Sequence, residues 1–409
     1  MMNTAIMKKK PGVFTGIDEN GVEIVYHDKK RHLWWLGFVG VFVNILTIWG
    51  YFALGHNAWI LWLPAAYTYV ISSVIDKILG EDTHNPPEAV VPDMMKDNYY
   101  RMHLYIHIPI YFITYFAFVW LVGTQDIPWW GIVALIIGVG SGSGSMLAYT
   151  HELGHKNNRL DRLTAKIGNT LMGYGHFNIE HNMGHHVWVS TPEDPASARM
   201  GESIYRFMLR EIPGTIRRGL AQEKRRLAKK GHGFWSIHNE VLQVYAVTIL
   251  MTVALAVIFG PKILWFVIPH HMMGWYALTQ ANYVEHYGLL RQKLANGKYE
   301  PCQPRHSWNT NHLWSNMGLL HLQRHSDHHA NPMRPYHVLR DYEDVPSLPT
   351  GYGGCFLMAA FPFWWYKVMD KKVMEWAGGD ITKVNVDPKK KDKLYRKYGA
   401  TDGDMAAAE

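Results

Sequence analysis

Blocks of about 20 apolar residues alternate with polar blocks along most of the chain. A helix needs about 20 mainly apolar residues to cross a bilayer core. The pattern therefore predicts an all-α integral membrane protein with six transmembrane helices, paired as three hairpins. A seventh block, 355–369, is too short to span, so it is expected at the membrane interface or in a buried core. The six predicted spans are residues 33–54, 58–75, 103–122, 129–149, 241–259 and 263–283.

The positions of Lys and Arg predict the orientation of these spans. Six basic residues precede the first span, whereas the turn of each hairpin carries none or, in the third, only Lys262. Basic loops stay on the cytoplasmic side, so both termini are predicted to be cytoplasmic. The predicted organisation is a cytoplasmic N-terminal segment (1–32), spans one to four (33–150), a cytoplasmic helical His-rich region (151–240), spans five and six (241–285), a second cytoplasmic His-rich and interfacial region (286–385), and a flexible basic tail (386–409).

The composition indicates which kinds of molecule the protein is expected to bind. The net charge of +7 fits the basic cytoplasmic side of a membrane protein. No nucleic-acid-binding motif accompanies it, so no nucleic acid partner is expected. The two cysteines, Cys302 and Cys355, cannot form a metal site of four thiolates. Any sulfur-ligated redox partner must therefore be a separate protein.

Histidine is the unusual residue type, with 24 copies. Four clusters follow the cytoplasmic ends of predicted spans: HELGHK from 151, EHNMGHH from 180, NYVEHYGLL from 282 and HLQRHSDHH from 321. Residues four apart share one face of a helix. The pairs 151/155, 181/185 and 325/329, and the closer pair 325/328, are therefore each predicted to present two imidazoles together. This repetition on one side of the membrane predicts a metal centre.

The sequence H-E-x-x-H at 151–155 is also the signature of zinc metalloproteases. A catalytic zinc takes three protein ligands, whereas this chain offers enough imidazoles for two metals. Redox metals are favoured for that reason, and an intramembrane zinc protease is the alternative. A His-rich metal transporter is the non-enzyme alternative. It would use ionisable groups inside the spans, for which the candidates are His107, His270 and His271.

Together with GEDTHNPPE (80–88) and LQRHSDHHANPMRPY (322–336), these clusters closely resemble the motifs of the membrane-bound alkane 1-monooxygenases. That family belongs to the superfamily of histidine-box fatty acid desaturases and hydroxylases. The resemblance covers residues 30–370. It implies two non-haem Fe ions, and it places His321 beside the site rather than among the ligands. The implied ligands are His151, His155, His181, His185, His186, His286, His325, His328 and His329.

The resemblance also implies the reaction, which is terminal hydroxylation of medium-chain n-alkanes with O2. Electrons would come from a separate rubredoxin, itself reduced by an NAD(P)H-dependent reductase. The location would be the bacterial inner membrane. A fatty acid or methyl-aromatic hydroxylase and a desaturase are the nearest alternatives. The basic stretches 217–233 and 387–399 are candidate docking sites for acidic rubredoxin, although anionic lipid would equally explain their charge.

Four acidic residues stand next to implied ligands in the sequence. Carboxylates behind metal-bound imidazoles orient the rings and balance charge, while solvated acids at helix ends are the ordinary alternative. The alkane itself has no polar group, so its C–H bond requires a strong oxidant from a cofactor and its position must be set by shape. Residues 62–70 are a candidate wall of the substrate channel. The four acids are Glu152, Glu180, Glu285 and Asp327.

Overall fold

The computed structural model describes residues 10–399, most of which are helical. We number the helices of eight or more residues in chain order. They are α1 (Leu33–Ala53), α2 (Ala58–Leu79), α3 (Asn98–Thr124), α4 (Trp129–Gly154), α5 (Arg159–Asn169), α6 (Ile204–Lys229), α7 (Glu240–Phe259), α8 (Leu264–His286), α9 (Tyr352–Ala359) and α10 (Pro362–Trp376).

Five of these helices, α1 to α4 and α7, are long and apolar enough to cross a membrane. They match the first five predicted spans. The sixth predicted span corresponds to α8, which has 23 residues. Polar side chains including His270, His271 and Gln280 make α8 less apolar than the other five. A sixth span therefore stays a prediction.

The N-terminal segment contains strands, which the prediction of an all-α fold did not include. Strands β1 (Val13–Ile17) and β2 (Glu23–His27) form an antiparallel hairpin in which Val13 lies opposite His27. Gly21 in the connecting turn has a φ of 80°, a conformation that glycine adopts without strain. The hairpin packs against residues 88–94, where Thr15 N donates to the Asp93 carboxylate at 2.9 Å.

Helix α4 lies at the centre of the bundle. Its most apolar stretch is 67% buried, against 22–33% for the other four candidate spans. The Gly-rich run 138–145 permits this, because a Cβ on Gly140 would meet Met273 and one on Gly144 would meet Ala277, both on α8. The helix continues unbroken from Trp129 to Gly154. The run therefore serves close helix packing, and it is not a kink.

The apolar block 355–369 folds as parts of α9 and α10. Trp365 and Met369 are fully buried against Tyr283 and Tyr287, whereas Phe363 is 76% exposed. One face of this block thus joins a second hydrophobic core beneath the C-terminal end of α8, and the other face is free to contact lipid.

Part of the predicted flexible tail is ordered. Residues Lys391–Lys397 form a short helix, and Leu394 and Tyr395 on it are buried. The apolar side chains at these two positions explain why the segment packs against the protein. Residues 1–9 and 400–409, which include Lys8, Lys9 and the end of the predicted tail, lie outside the described residues.

Candidate metal centre

The C-terminal end of α4 supplies the first pair of histidines. His151 lies in its last turn, and His155 follows the helix as its C-terminal cap. Their ring centroids are 4.7 Å apart. The predicted four-residue spacing on one helix face therefore holds for this pair.

The second histidine cluster lies on a helical stretch with an irregular turn. Phe177–Glu180 is α-helical, His181–His185 is π-helical and His186–Trp188 resumes the α-helix. A π-turn contains an extra residue, so His181 faces the same way as His186. The rings of His181 and His185 lie 5.2 Å apart between centroids, so the two imidazoles are close together as predicted. The ligand nitrogen of His185 nevertheless joins a different group from that of His181.

The remaining ligands come from the second half of the chain. His286 ends α8, and His325–Ala330 is a short helix that carries three histidines. His325 and His329, four apart, point to one centre as predicted. The rings of His325 and His328 are also close, with centroids 5.6 Å apart, but the ligand nitrogen of His328 joins the other group.

The nine histidines converge in two groups, one of five and one of four. Within each group the potential ligand atoms all lie within 4.8 Å of one another. The five-histidine group contains His151, His155, His181, His186 and His328. The four-histidine group contains His185, His286, His325 and His329.

The distances between ring nitrogens fit metal coordination. In the first group, His151 Nε2 lies 2.8 Å from His181 Nε2 and 3.2 Å from His155 Nε2. In the second, His325 Nε2 lies 3.2 Å from His286 Nε2 and 2.9 Å from His329 Nε2. Two ligand atoms at right angles around an ion, each about 2.1 Å away from it, stand about 3 Å apart. The imidazoles are thus spaced as ligands of one ion per group.

Burial keeps these imidazoles neutral and able to bind a cation. Removal from water disfavours the protonated ring. Neighbouring histidines and Lys156 add to the effect. Burial thereby lowers the pKa well below the usual 6.5 for His155, His181, His186, His325, His328 and His329.

One buried carboxylate, Asp194, orients His185, although no pattern in the sequence pointed to it. His185 Nδ1 donates to Asp194 Oδ2 at 2.9 Å, so His185 Nε2 carries the lone pair. Arg218 binds Asp194 Oδ1 at 2.6 Å and also Glu180. Burial alone would raise the pKa of Asp194, but the His185 ring and Arg218 lower it below the usual 3.8. Asp194 lies in the loop TPEDP, where no periodicity relates it to a histidine.

Of the four predicted carboxylates, Glu285 touches a ligand ring. Glu285 Oε2 lies 3.2 Å from His325 Nε2, and Tyr352 donates its hydroxyl proton to Oε1 at 2.6 Å. The other three carboxylates bind neighbouring segments. Glu180 binds Arg218, and Glu152 accepts from Lys156 at 2.8 Å.

Asp327 and His321 support the site in different places. Asp327 accepts from Arg340 and from the Tyr342 hydroxyl, both at 2.8 Å, and so holds the helix His325–Ala330 to the segment that follows it. His321 packs edge-on against Trp34, with ring centroids 4.7 Å apart. Its ring thus lies against α1, on a different side from the two histidine groups.

An apolar cavity adjoins both histidine groups. Its wall includes His151, His181 and His325 together with side chains of α4 and α8, among them Leu147 and Leu278. A second cavity shares Thr68, Ser145, Leu319, Tyr352 and Phe356 with it and extends between α1, α2 and α4. Pro64, Tyr67, Thr68 and Tyr69, from the predicted wall 62–70, line one or both cavities.

The histidines inside the bundle pack against nearby aromatic, hydroxyl and histidine side chains. The His107 ring stacks on Tyr149 with centroids 4.2 Å apart, and His270 Nε2 lies 2.9 Å from Ser143 Oγ. His271 contacts His270 through their Nδ1 atoms at 3.2 Å. The three histidines that a transport path would use are therefore held by aromatic and hydroxyl neighbours of the bundle.

Comparison with known proteins agrees with this geometry. The fatty acid desaturase family model matches residues 127–359, a range that contains all nine histidines. The alkane 1-monooxygenase of Ectopseudomonas oleovorans is 46% identical over 384 residues, which cover 92% of this chain and 94% of that protein. Alkane 1-monooxygenase 1 of Alcanivorax borkumensis is 47% identical over 376 residues, 91% of this chain and 92% of that protein.

A more distant relative shares the central region. The hydroxylase component of a xylene/toluene monooxygenase from Pseudomonas putida is 26% identical over 233 residues, which cover 56% of this chain and 61% of that protein. The full-length matches are the decisive ones, because they include the spans as well as the histidines. A membrane protein with converging histidine groups and this degree of similarity along its length belongs to the alkane 1-monooxygenases, a group of enzymes within the fatty acid desaturase family.

Proposed function

We propose that the chain hydroxylates the terminal carbon of medium-chain n-alkanes with O2 at two non-haem iron ions, using electrons from rubredoxin. The single observation that carries the proposal is the convergence of five and four histidines beside an apolar cavity. The names of the relatives state alkane monooxygenation. To what these names state, our proposal adds the pair of iron ions, rubredoxin as the electron donor and the preference for medium-chain alkanes.

The donor set suits a pair of iron ions. Imidazole is a good ligand for iron, copper and zinc, and the chemistry of the family requires a redox metal. His185 Nε2 is buried and has no hydrogen-bond partner in the protein, while Asp194 fixes the proton on Nδ1. A bound cation would satisfy this lone pair. When bound, the metal pair supplies the oxidising equivalent that an unpolarised C–H bond requires.

The protein's own part is to position the alkane and to exclude water. The cavity wall beside His151 and His325 is mostly apolar, with Phe177, Leu319 and Leu322 among its members. An alkane makes no directional contacts, so the narrow shape of the channel must present one end to the site. Glu285 and Tyr352 lie at the same wall, 2.6 Å apart, and can hold a proton close to His325.

Electrons must come from outside the chain. Cys302 and Cys355 are free cysteines, and two thiols are too few for a metal site of four thiolates. Of the nine histidines, His186 is the one that is not fully buried. Met183, Val187 and Trp188 around it are 47%, 52% and 41% exposed. We propose that rubredoxin docks over this segment, because it offers the shortest path from the surface to a ligand.

One of the two predicted docking stretches, 217–233, lies next to this segment. In 217–233, Arg218 and Arg226 are engaged with Glu180 and Glu223, while Arg217 and Lys224 are exposed. These exposed charges on α6 complement an acidic partner. We also propose six spans, with both termini and the metal centre on the cytoplasmic side of the inner membrane, because the donor is a cytoplasmic protein.

Reconstitution tests the proposed function. Purified, iron-loaded protein is given rubredoxin, its reductase, NADH and n-alkanes of several lengths, and products are identified by gas chromatography. The expected products are 1-alkanols, with two irons per chain by elemental analysis and no product when rubredoxin is omitted. Alkenes, internal alcohols or activity without iron would contradict the proposal.

A further inference from the structure

Helix α5, which follows the first histidine pair, presents three different faces. Asp161, Ala165 and Gly168 are buried against the cytoplasmic ends of α3 and α4. Arg101 of α3 fixes this face by donating to both oxygens of Asp161, at 2.9 and 2.7 Å. The helix is thereby held across the ends of the spans, at the level where they leave the bilayer.

The second face of α5 is apolar and exposed. Leu160, Leu163 and Ile167, spaced three and four residues apart, are 55%, 48% and 48% exposed. Trp235 and Ile237, just before α7 enters the membrane, are 84% and 83% exposed. Exposed apolar side chains at this depth are typical of helices that lie in the membrane interface.

The third face of α5 is basic and borders a groove. Arg159, Arg162 and Lys166 line the groove from α5, while Arg226 and Lys230 line it from α6. The single acid in its wall, Glu240, forms an ion pair with Arg226 at 3.3 Å. Glu223 binds Arg226 as well, so the net positive charge of the groove comes from Arg159, Arg162, Lys166 and Lys230.

The apolar and basic faces belong to one continuous surface. Lys166 Nζ donates to Gln243 Oε1 at 2.8 Å, and the amide of Gln243 binds the Ile237 carbonyl. The basic groove and the exposed apolar side chains are thus linked through the first turn of α7. A ligand that fits both the basic groove and the apolar side chains must contain an anionic group attached to a hydrocarbon chain.

We propose that this groove binds the headgroup of an anionic phospholipid, whose acyl chains lie on the apolar face of α5. The phosphate contacts the basic side chains of α5 and α6. The hydrocarbon covers Leu160, Leu163 and Ile167. None of the nine histidines lines the groove, although Gly154 and Asn182 in its wall precede His155 and follow His181 in the chain. Its edge at Met183 borders the segment proposed above for rubredoxin docking. Each basic side chain near an anionic membrane surface contributes a factor of about five to affinity.

Lipid binding to the detergent-purified protein tests the assignment, with phosphatidylglycerol and phosphatidylcholine as probes and native mass spectrometry as the readout. The wild type is expected to retain phosphatidylglycerol in preference to phosphatidylcholine. The double variant Arg159→Gln, Arg162→Gln is expected to lose about 25-fold in phosphatidylglycerol affinity, as the product of two factors of about five. The control Lys371→Gln, Lys393→Gln removes the same charge from exposed positions outside the groove and is expected to keep it.

Two further experiments distinguish a lipid headgroup from free phosphate as the group bound in the groove. Inorganic phosphate, added in place of lipid, is expected not to displace phosphatidylglycerol. The variant Leu160→Gln, which changes the apolar face outside the groove lining, is expected to weaken phosphatidylglycerol binding as well. Equal binding of both lipids, competition by free phosphate, or equal losses in the α5 and control variants would overturn the proposal. Unfolding temperatures in phosphatidylcholine, expected to be unchanged, verify that the variants are folded.

Discussion

At the level of single side chains, the metal centre depends on how each imidazole is held. A ring that donates from Nδ1 to a carboxylate is fixed in both orientation and tautomer. His185 has this arrangement with Asp194, and Arg218 in turn holds Asp194 at 2.6 Å. The chain His185–Asp194–Arg218–Glu180 therefore passes from a metal ligand to a buried carboxylate on the same short helical stretch.

We expect Asp194→Asn to weaken metal binding by roughly 10- to 100-fold, the usual effect of losing a partner of a metal-bound imidazole. The amide keeps the size of the side chain but loses its charge and can present an N–H to His185. Chelator competition measures the metal dissociation constants. Asp392→Asn, at an exposed position, is the matched control. Equal affinities for the two variants would rule out an orienting role.

At the level of helices and turns, α4 positions the first two ligands by packing closely on α8. The small residues on its inner face make this possible, and the neighbouring Gly142 shows the contrast. A Cβ on Gly144 would meet Ala277, whereas nothing lies within 4 Å of a Cβ on Gly142. Two glycines in one helix thus have different constraints.

We expect Gly144→Ala to lower the free energy of unfolding by about 1–3 kcal/mol, since the added methyl overpacks the contact with α8. Gly142→Ala should be neutral or stabilising, because alanine favours a helix over glycine by about 1 kcal/mol. Thermal unfolding of both variants in the same detergent measures the difference. A similar shift in both would show that the α4–α8 contact is not tightly packed.

Periodicity explains which parts of the site the sequence predicts. Regular helical spacing placed His151 beside His155 and His325 beside His329, whereas the full set of nine histidines came from the family resemblance. Spacing did not show that His181 and His185 join different groups, because the π-turn between them adds a residue per turn without any signal in the sequence. Asp194 was missed because loop contacts have no period. The five apolar spans were predictable from their runs of apolar residues. Helix α8 has polar residues within its run, so its apolar pattern is weaker.

Across the entire fold, two neighbouring cavities with five shared wall residues extend from the histidine groups to the space between α1, α2 and α4. An apolar substrate dissolved in the bilayer can thus approach from between helices. Gly142 lines the far cavity and has open space beside it. The length of alkane that reaches the histidines therefore depends on how far this space remains open.

We expect Gly142→Leu to shift the preference toward shorter alkanes by filling the far cavity. The ratio of kcat/KM for long alkanes to kcat/KM for short alkanes should fall. The rate with the shortest substrate that reaches the site should stay close to that of the wild type. Gas chromatography of mixed-substrate reactions measures the ratio. An unchanged ratio would show that long alkanes take another path.

The buried imidazoles also predict how the metal-free protein responds to pH. Burial lowers the pKa of His155, His181 and His186 in the folded state well below 6.5. Between the folded and unfolded pKa values, the unfolded chain binds more protons. The free energy of unfolding should therefore fall as the pH drops below about 6.5 and change little from these groups above it. Unfolding midpoints of metal-free protein between pH 8 and pH 5 test this, and a flat profile would contradict it.

The division of ligands between the two groups has a consequence for biosynthesis. His328 completes a group that is otherwise drawn from residues 151–186, and His185 completes one drawn from residues 286–329. Neither centre can be finished by one stretch of polypeptide. During translation, the histidines of residues 151–186 are made well before His328, so neither group can be complete until the segment 325–329 has been synthesised. We therefore expect a metal ion to be held firmly only after that segment has folded against the earlier histidines.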